Sequence, residues 1–132
     1  MSERGQITCH VLDTSRGFPG NNIEVLLEHL VPNVLGEAER WTTVNRIRTN
    51  EDGRCPLLVP SDYKILKYHY NNDDKEKAIY RITFYTAPYF DRLNQKSFYP
   101  YVQVVFQITE TEQHYHVPLL ISPFSYTTYR GS

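Results

Sequence analysis

The chain has 132 residues, the usual size of one domain and long enough to bury roughly two-thirds of its unfolded surface. Its 14 basic and 15 acidic residues leave a formal net charge of −1, which gives no electrostatic footprint for nucleic acid or anionic lipid. The apolar runs fall far short of a membrane span, the polar opening Met1 to Gln6 is unlike a secretory signal, and the two cysteines make no disulfide framework. The expectation is therefore a single domain over residues 1–132 in a reducing compartment, cytoplasmic or peroxisomal and not secreted. No Ser-Lys-Leu terminus marks it for the peroxisome.

Eleven tyrosines and eight prolines favour strands broken by frequent turns, so all-β is the starting expectation. Ile7 to Asp13 alternates, with Ile7, Cys9 and Val11 on one face and Thr8, His10 and Leu12 on the other. A turn-rich loop follows to Asn22. Ile23 to Leu30 resumes the alternation, and Val31 to Glu39, with Pro32, Asn33 and Gly36, reads as a connection. Arg40 to Thr49 is a third strand, placing Trp41, Thr43, Asn45 and Ile47 together. Asn50-Glu51-Asp52-Gly53 is a tight turn in which Gly53 supplies a positive φ. Arg54 follows at once and opens a short strand to Val59.

Ser61 to Lys77 reads as a surface loop around its polar core Asn71 to Lys77. Ala78 to Thr86 is the strongest strand, with Tyr80, Ile82 and Phe84 inward. Pro88 to Lys96 carries a short helix with proline in its first turn. Tyr101 to Ile108 is another strand, turning Val102, Val104, Phe106 and Ile108 inward. After a turn at Glu110 to Gln113, His114 and His116 share one strand face and Tyr115 and Val117 the other. Pro118 and Pro123 limit where that ladder continues, and Leu119 to Ser122 and Tyr126 to Arg130 complete the sheet. About eight strands and one short helix, with no repeat and no linker, fit an antiparallel β-sandwich.

Three stretches carry chemistry. Thr8-Cys9-His10-Val11-Leu12-Asp13 with Gly17-Phe18-Pro19 is one. Thr49-Asn50-Glu51-Asp52-Gly53-Arg54 is the second. The third is His114-Tyr115-His116-Val117-Pro118-Leu119-Leu120 with the closing Tyr129-Arg130-Gly131-Ser132. In this order they resemble the three motifs of the transthyretin-like 5-hydroxyisourate hydrolases, and the resemblance spans nearly the whole chain. The closing tetrapeptide is the part that separates the hydrolases from transthyretin, the hormone carrier of the same fold. Cys9 and the polar insertion near residues 71–77 depart from the pattern without touching its site residues.

The resemblance implies a transthyretin-like sandwich and an enzyme of urate breakdown. Such an enzyme hydrolyses 5-hydroxyisourate to 2-oxo-4-hydroxy-4-carboxy-5-ureidoimidazoline, without a cofactor or metal. It implies a homotetramer, a dimer of dimers, with sites where the sandwich dimers meet. The implied catalytic residues are His10, Arg54, His116 and Ser132, and the implied substrate contacts are His10, Arg54 and Tyr129.

These residue types suit the reaction on their own terms. Hydrolysis of an acyl C–N bond needs a base for water and a donor for the developing oxyanion. Histidine, with an ordinary pKa of about 6.5, is a neutral base at cell pH. A guanidinium offers a planar fork to a flat ureide ring. Either His10 or His116 can be the base, Arg54 the clamp and Tyr129 the positioning group. Two other readings compete. His114 and His116, with His10, could present zinc to a cyclic amide. A non-catalytic transthyretin-like carrier of a small ligand is the other, since one fold hosts many functions.

Overall fold

Two sheets face each other across one apolar core in the computed structural model, which describes residues 3–32, 38–70 and 74–132. The first sheet is built on β1 (Ile7–Asp13) and β9 (Tyr115–Ser122), with β10 (Ser125–Thr128) along the far side of β9. The other side of β1 is shared by two short pieces, β2 (Phe18–Pro19) and β5 (Arg54–Cys55). The second sheet runs β4 (Arg40–Arg48), β3 (Glu24–Val31), β7 (Glu76–Phe84) and β8 (Val102–Ile108), and β6 (Tyr68–His69) pairs with the start of β7. The one helix among the described residues, α1 (Thr86–Arg92), joins β7 to β8. The all-β sandwich with one helix is as the sequence leads one to expect.

One pairing departs from the antiparallel scheme. β1 and β9 run parallel, in unbroken register from Ile7 opposite Tyr115 to Asp13 opposite Ile121. Parallel neighbours cannot be joined by a tight turn, and here the whole second sheet lies between them in the chain. Their inward residues Ile7, Cys9, Val11, Val117, Leu119 and Ile121 are buried against Val25, Leu27, Tyr80, Ile82 and Phe84 of the facing sheet. Each fully buried aliphatic side chain contributes about 1.5–3 kcal/mol.

Four local expectations need correction. Opposite Leu27 and Glu28 of β3 the register of β4 slips, so that Asn45 and Thr43 are successive partners and Val44 is the extra residue. The bulge reverses the alternation beyond it. Trp41 does not share a face with Ile47: it packs beneath the Arg81 guanidinium at 4.3 Å, beside the Arg81–Glu28 ion pair. The strand expected over Arg54 to Val59 stops at Cys55, because Pro56 brings no N–H to the ladder. Its carbonyl accepts instead from Gly5 N at 2.7 Å.

The expected loop from Ser61 to Lys77 is only partly a surface element. Ile65 and Tyr70 are buried, and the Tyr70 hydroxyl donates to Leu30 O at 2.7 Å and accepts from Ile79 N at 3.0 Å. Glu76 and Lys77 already belong to β7, paired with His69 and Tyr68. Residues 71–73 of that loop and 33–37 of the expected connection lie outside the described residues. The helix begins at Thr86, earlier than Pro88, and ends at Arg92. Asn94 takes φ 56°, with Asn94 N bonded to Asp91 O and Gln95 N to Phe90 O, each at 3.0 Å. This pair of bonds around a left-handed residue stops a helix.

Candidate active site

The site begins with a turn that is tied to β1. Asn50 Oδ1 accepts from Asp52 N at 2.9 Å and Arg54 N at 3.0 Å, and Gly53 closes the bend with φ 74°. Gly53 O then accepts from Val11 N at 2.8 Å. A Cβ on Gly53 would lie 2.4 Å from Val11 O, so both the bend and the close approach require glycine. The result is that Arg54 sits directly opposite His10 in the β1–β5 ladder.

The parallel register supplies the second half. It places Thr8 opposite His116 and His10 opposite Pro118, so the polar face of β1 and that of β9 form one surface. The His10 and His116 rings are 6.4 Å apart, centroid to centroid, and His114 and His116 are 6.5 Å apart. Thr8 Oγ1 lies between the two β9 histidines, 2.7 Å from His116 Nδ1 and 3.1 Å from His114 Nε2.

The closing residues fold back onto this surface. Gly131 N donates to His116 O at 2.9 Å, and a Cβ on Gly131 would lie 2.7 Å from His116 Cδ2. Glycine is needed here for lack of volume. Ser132 thereby joins Arg4, Thr8, Arg54, Pro56 and His116 around a cavity of about 230 Å³.

Tyr129 and Arg130 do not line that cavity. They turn to a second, apolar one of about 300 Å³ between β8 and β9, with Val104, Phe106, Tyr115 and Val117, and His116 borders both. The Arg130 guanidinium lies 4.7 Å over the Tyr115 ring and donates to Gln113 Oε1 at 2.9 Å, which fastens the closing segment to the turn before β9. Of the expected residues, Arg54, His116 and Ser132 line the cavity, His10 stands beside it opposite Arg54 and 6.4 Å from the His116 ring, and Tyr129 is set apart. Arg4, Thr8, Cys9 and Pro56 are the lining residues that sequence reasoning did not single out as part of the site. Thr8 had one legible signal, the period-2 face it shares with His10.

Burial and neighbouring charge disfavour the imidazolium at each of the three rings. Burial lowers the pKa of His10 from its ordinary 6.5, and Arg54 adds to the shift against the opposing pull of Asp52. Burial also lowers His116, followed by Arg54, His10, His114 and Arg4. His114 is lowered by burial and by Arg4. Among the described residues no group of three or more His, Cys, Asp or Glu side chains is set to share a metal ion. A neutral imidazole can take a proton from water, and the Arg4 and Arg54 guanidinium groups that line the cavity can hold a developing oxyanion.

The sequence profile of the HIUase/Transthyretin family matches residues 7–131. The mouse protein named 5-hydroxyisourate hydrolase is 42% identical over 132 residues, covering 99% of this chain and 98% of its own. The solved structure of the Klebsiella pneumoniae 5-hydroxyisourate hydrolase superposes with a TM-score of 0.71 at 28% identity, covering 96% of this chain and 97% of its own. Sparus aurata transthyretin superposes with a TM-score of 0.76 at 24% identity over 97% of each chain, a likeness of fold alone. With the profile spanning both sheets, and with His10, Arg54 and His116 inside the matched span, the chain belongs to the HIUase/Transthyretin family.

Proposed function

We propose that this chain is a 5-hydroxyisourate hydrolase, adding water to 5-hydroxyisourate to give 2-oxo-4-hydroxy-4-carboxy-5-ureidoimidazoline in urate breakdown. The observation that carries the reading is the convergence of two neutral imidazoles and the Arg54 guanidinium on one surface. The close kinship with a hydrolase over the full chain supports it. One imidazole takes a proton from water as the oxygen attacks the acyl carbon. The electron pair moves onto the carbonyl oxygen, where Arg54 donates hydrogen bonds to the forming oxyanion. When the oxyanion collapses the C–N bond breaks, and the imidazolium returns its proton to the departing nitrogen. Ser132 closes the cavity beside Arg54 and His116. Tyr129 contributes substrate contact only where the chain meets another copy, since it lies away from Arg54 here.

The working unit we propose is the whole of residues 1–132, assembled as a homotetramer. β10 and β8 are sheet-edge strands, every residue of β10 is exposed, and Val105, Phe124 and Tyr126 are exposed beside them. Unpaired strand edges of this kind are templates for pairing with another copy. Free Cys9 and Cys55 support a reducing compartment, cytoplasmic or peroxisomal. No helix among the described residues is long and apolar enough to cross a membrane.

The test is an ultraviolet time course of 5-hydroxyisourate generated in place by urate oxidase. Decay accelerated in proportion to protein, and returned to the spontaneous rate by His116→Ala or Arg54→Ala, is the expected result. Folded protein that leaves the spontaneous rate unchanged overturns the hydrolase reading.

A further inference from the structure

The Thr8 hydroxyl touches two imidazoles at once, His116 Nδ1 at 2.7 Å and His114 Nε2 at 3.1 Å. It has one proton and two lone pairs, so it can donate to only one ring and must accept from the other. Two polarities exist. If Thr8 donates to His116, that ring carries its proton on Nε2 and has no lone pair left for water. If Thr8 accepts from His116 Nδ1–H, it donates to His114, and His116 Nε2 is a bare base.

We propose, on the hydrolase reading above, that Thr8 is a positioning residue which, backed by His114, holds the proton of His116 on Nδ1 and so makes His116 Nε2 the nitrogen that activates water. One observation favours this polarity, and two more fix where it directs His116 Nε2. Neutral His114 has a single N–H, and the Gly5 backbone beside that ring favours its being protonated, against the lowering by burial and Arg4. Placed on Nδ1, that proton leaves His114 Nε2 facing Thr8 as an acceptor. Second, Nδ1 and Nε2 point to opposite sides of an imidazole, so a ring tied at Nδ1 to Thr8 turns Nε2 away from β1. Third, Gly131 packs against the Cδ2 edge of the same ring, so the imidazole is held between Thr8 and the closing segment.

Thr8 thus takes the place that a buried carboxylate occupies beside the histidine of a hydrolytic triad, with a different electrostatic consequence. A carboxylate would raise the pKa of His116 and stabilise the imidazolium before it is needed. A hydroxyl fixes the tautomer without that charge, and burial and the two arginines remain free to hold the ring neutral. When Nε2 takes a proton from water, Nδ1–H keeps its bond to Thr8, and no group has to reorient.

Three proteins test this: the wild type, Thr8→Val, which keeps the shape and loses the hydroxyl, and Thr8→Ser, which restores it. Nitrogen-15 NMR of the histidine rings reads the tautomer directly in the free protein. The wild type should show His116 protonated on Nδ1, and Thr8→Val should shift it toward the Nε2–H form. Thr8→Val should lower kcat by about 10–100-fold with KM little changed, the size of effect seen when a metal-bound imidazole loses the partner that orients it. Thr8→Ser should recover most of the rate. A wild-type His116 protonated on Nε2 overturns the proposal, as does a Thr8→Val enzyme of normal kcat or a Thr8→Ser enzyme as slow as Thr8→Val. If the wild type does not accelerate substrate decay the hydrolase reading fails, while the ring spectrum still decides the role of Thr8. The wild-type spectrum decides it too if Thr8→Val does not fold.

Discussion

His116 is held on three sides, by Thr8 at Nδ1, by Gly131 against Cδ2 and by Gly131 N at its carbonyl oxygen. Its charge is set by burial first and by Arg54 second, and both disfavour the imidazolium. Base catalysis needs the neutral ring, so activity is present above the folded pKa and lost below it. Because His10 and His116 are both lowered, the acid limb of a kcat/KM–pH profile should fall below 6.5, the ordinary value. A midpoint at or above 6.5 would remove both rings from the base role. His10, Arg54 and His116 were legible from alternation, a turn glycine and motif order. That Thr8 reaches His116 was not, because the register between strands more than a hundred residues apart leaves no local trace. Gly131 reads in the sequence as a flexible backbone position, and its real constraint is the space taken by a ring.

Among the elements, the Asn50–Gly53 turn does for Arg54 what the parallel ladder does for His116. Gly53→Ala must adopt φ 74° with a methyl group pressed against Val11 O. The left-handed conformation alone costs about 1–2 kcal/mol. Chemical denaturation should show at least that loss, with activity falling further as Arg54 leaves its place opposite His10. The closing segment behaves differently. Its links, Gly131 N to His116 O and Arg130 to Gln113 and Tyr115, lie on the surface of the first sheet. Deleting Tyr129 to Ser132 should therefore cost far more activity than melting temperature, and an equal fall in both would make the segment structural. Strand alternation revealed β1, β3, β7 and β8 because each buries one face. The β4 bulge and the burial of Ile65 and Tyr70 were hidden, since each depends on a partner distant in the chain.

For the molecule as a whole, four histidines, His10, His29, His114 and His116, have pKa values lowered by burial. The unfolded chain takes up these protons near 6.5 and the folded one resists them, so stability rises with pH in that window. The contribution is complete above 6.5 and lost as pH falls from there toward the folded values. Thermal melting followed from pH 7.5 to 5 should show a declining midpoint that begins near 6.5. A midpoint unchanged over that range would mean that the four rings titrate alike in both states. The fold class was legible from composition and patterning, whereas the parallel centre of the first sheet was not. Antiparallel neighbours announce themselves by tight turns, and β1 and β9 are joined by none.

That parallel centre sets a clock on biosynthesis. A ribosome adding about 5–20 residues per second takes on the order of 5–20 s between Thr8 and His116, which are 108 positions apart. Through that interval β1 has only the short β2 and β5 beside it, and the edge that β9 will cover is open. The nascent chain thus carries an unpaired apolar strand while the second sheet is being made, and that sheet is finished by β8 only just before β9 itself. Until β9 has been made the open edge of β1 is a template for wrong pairing, and the proposed site lacks His116.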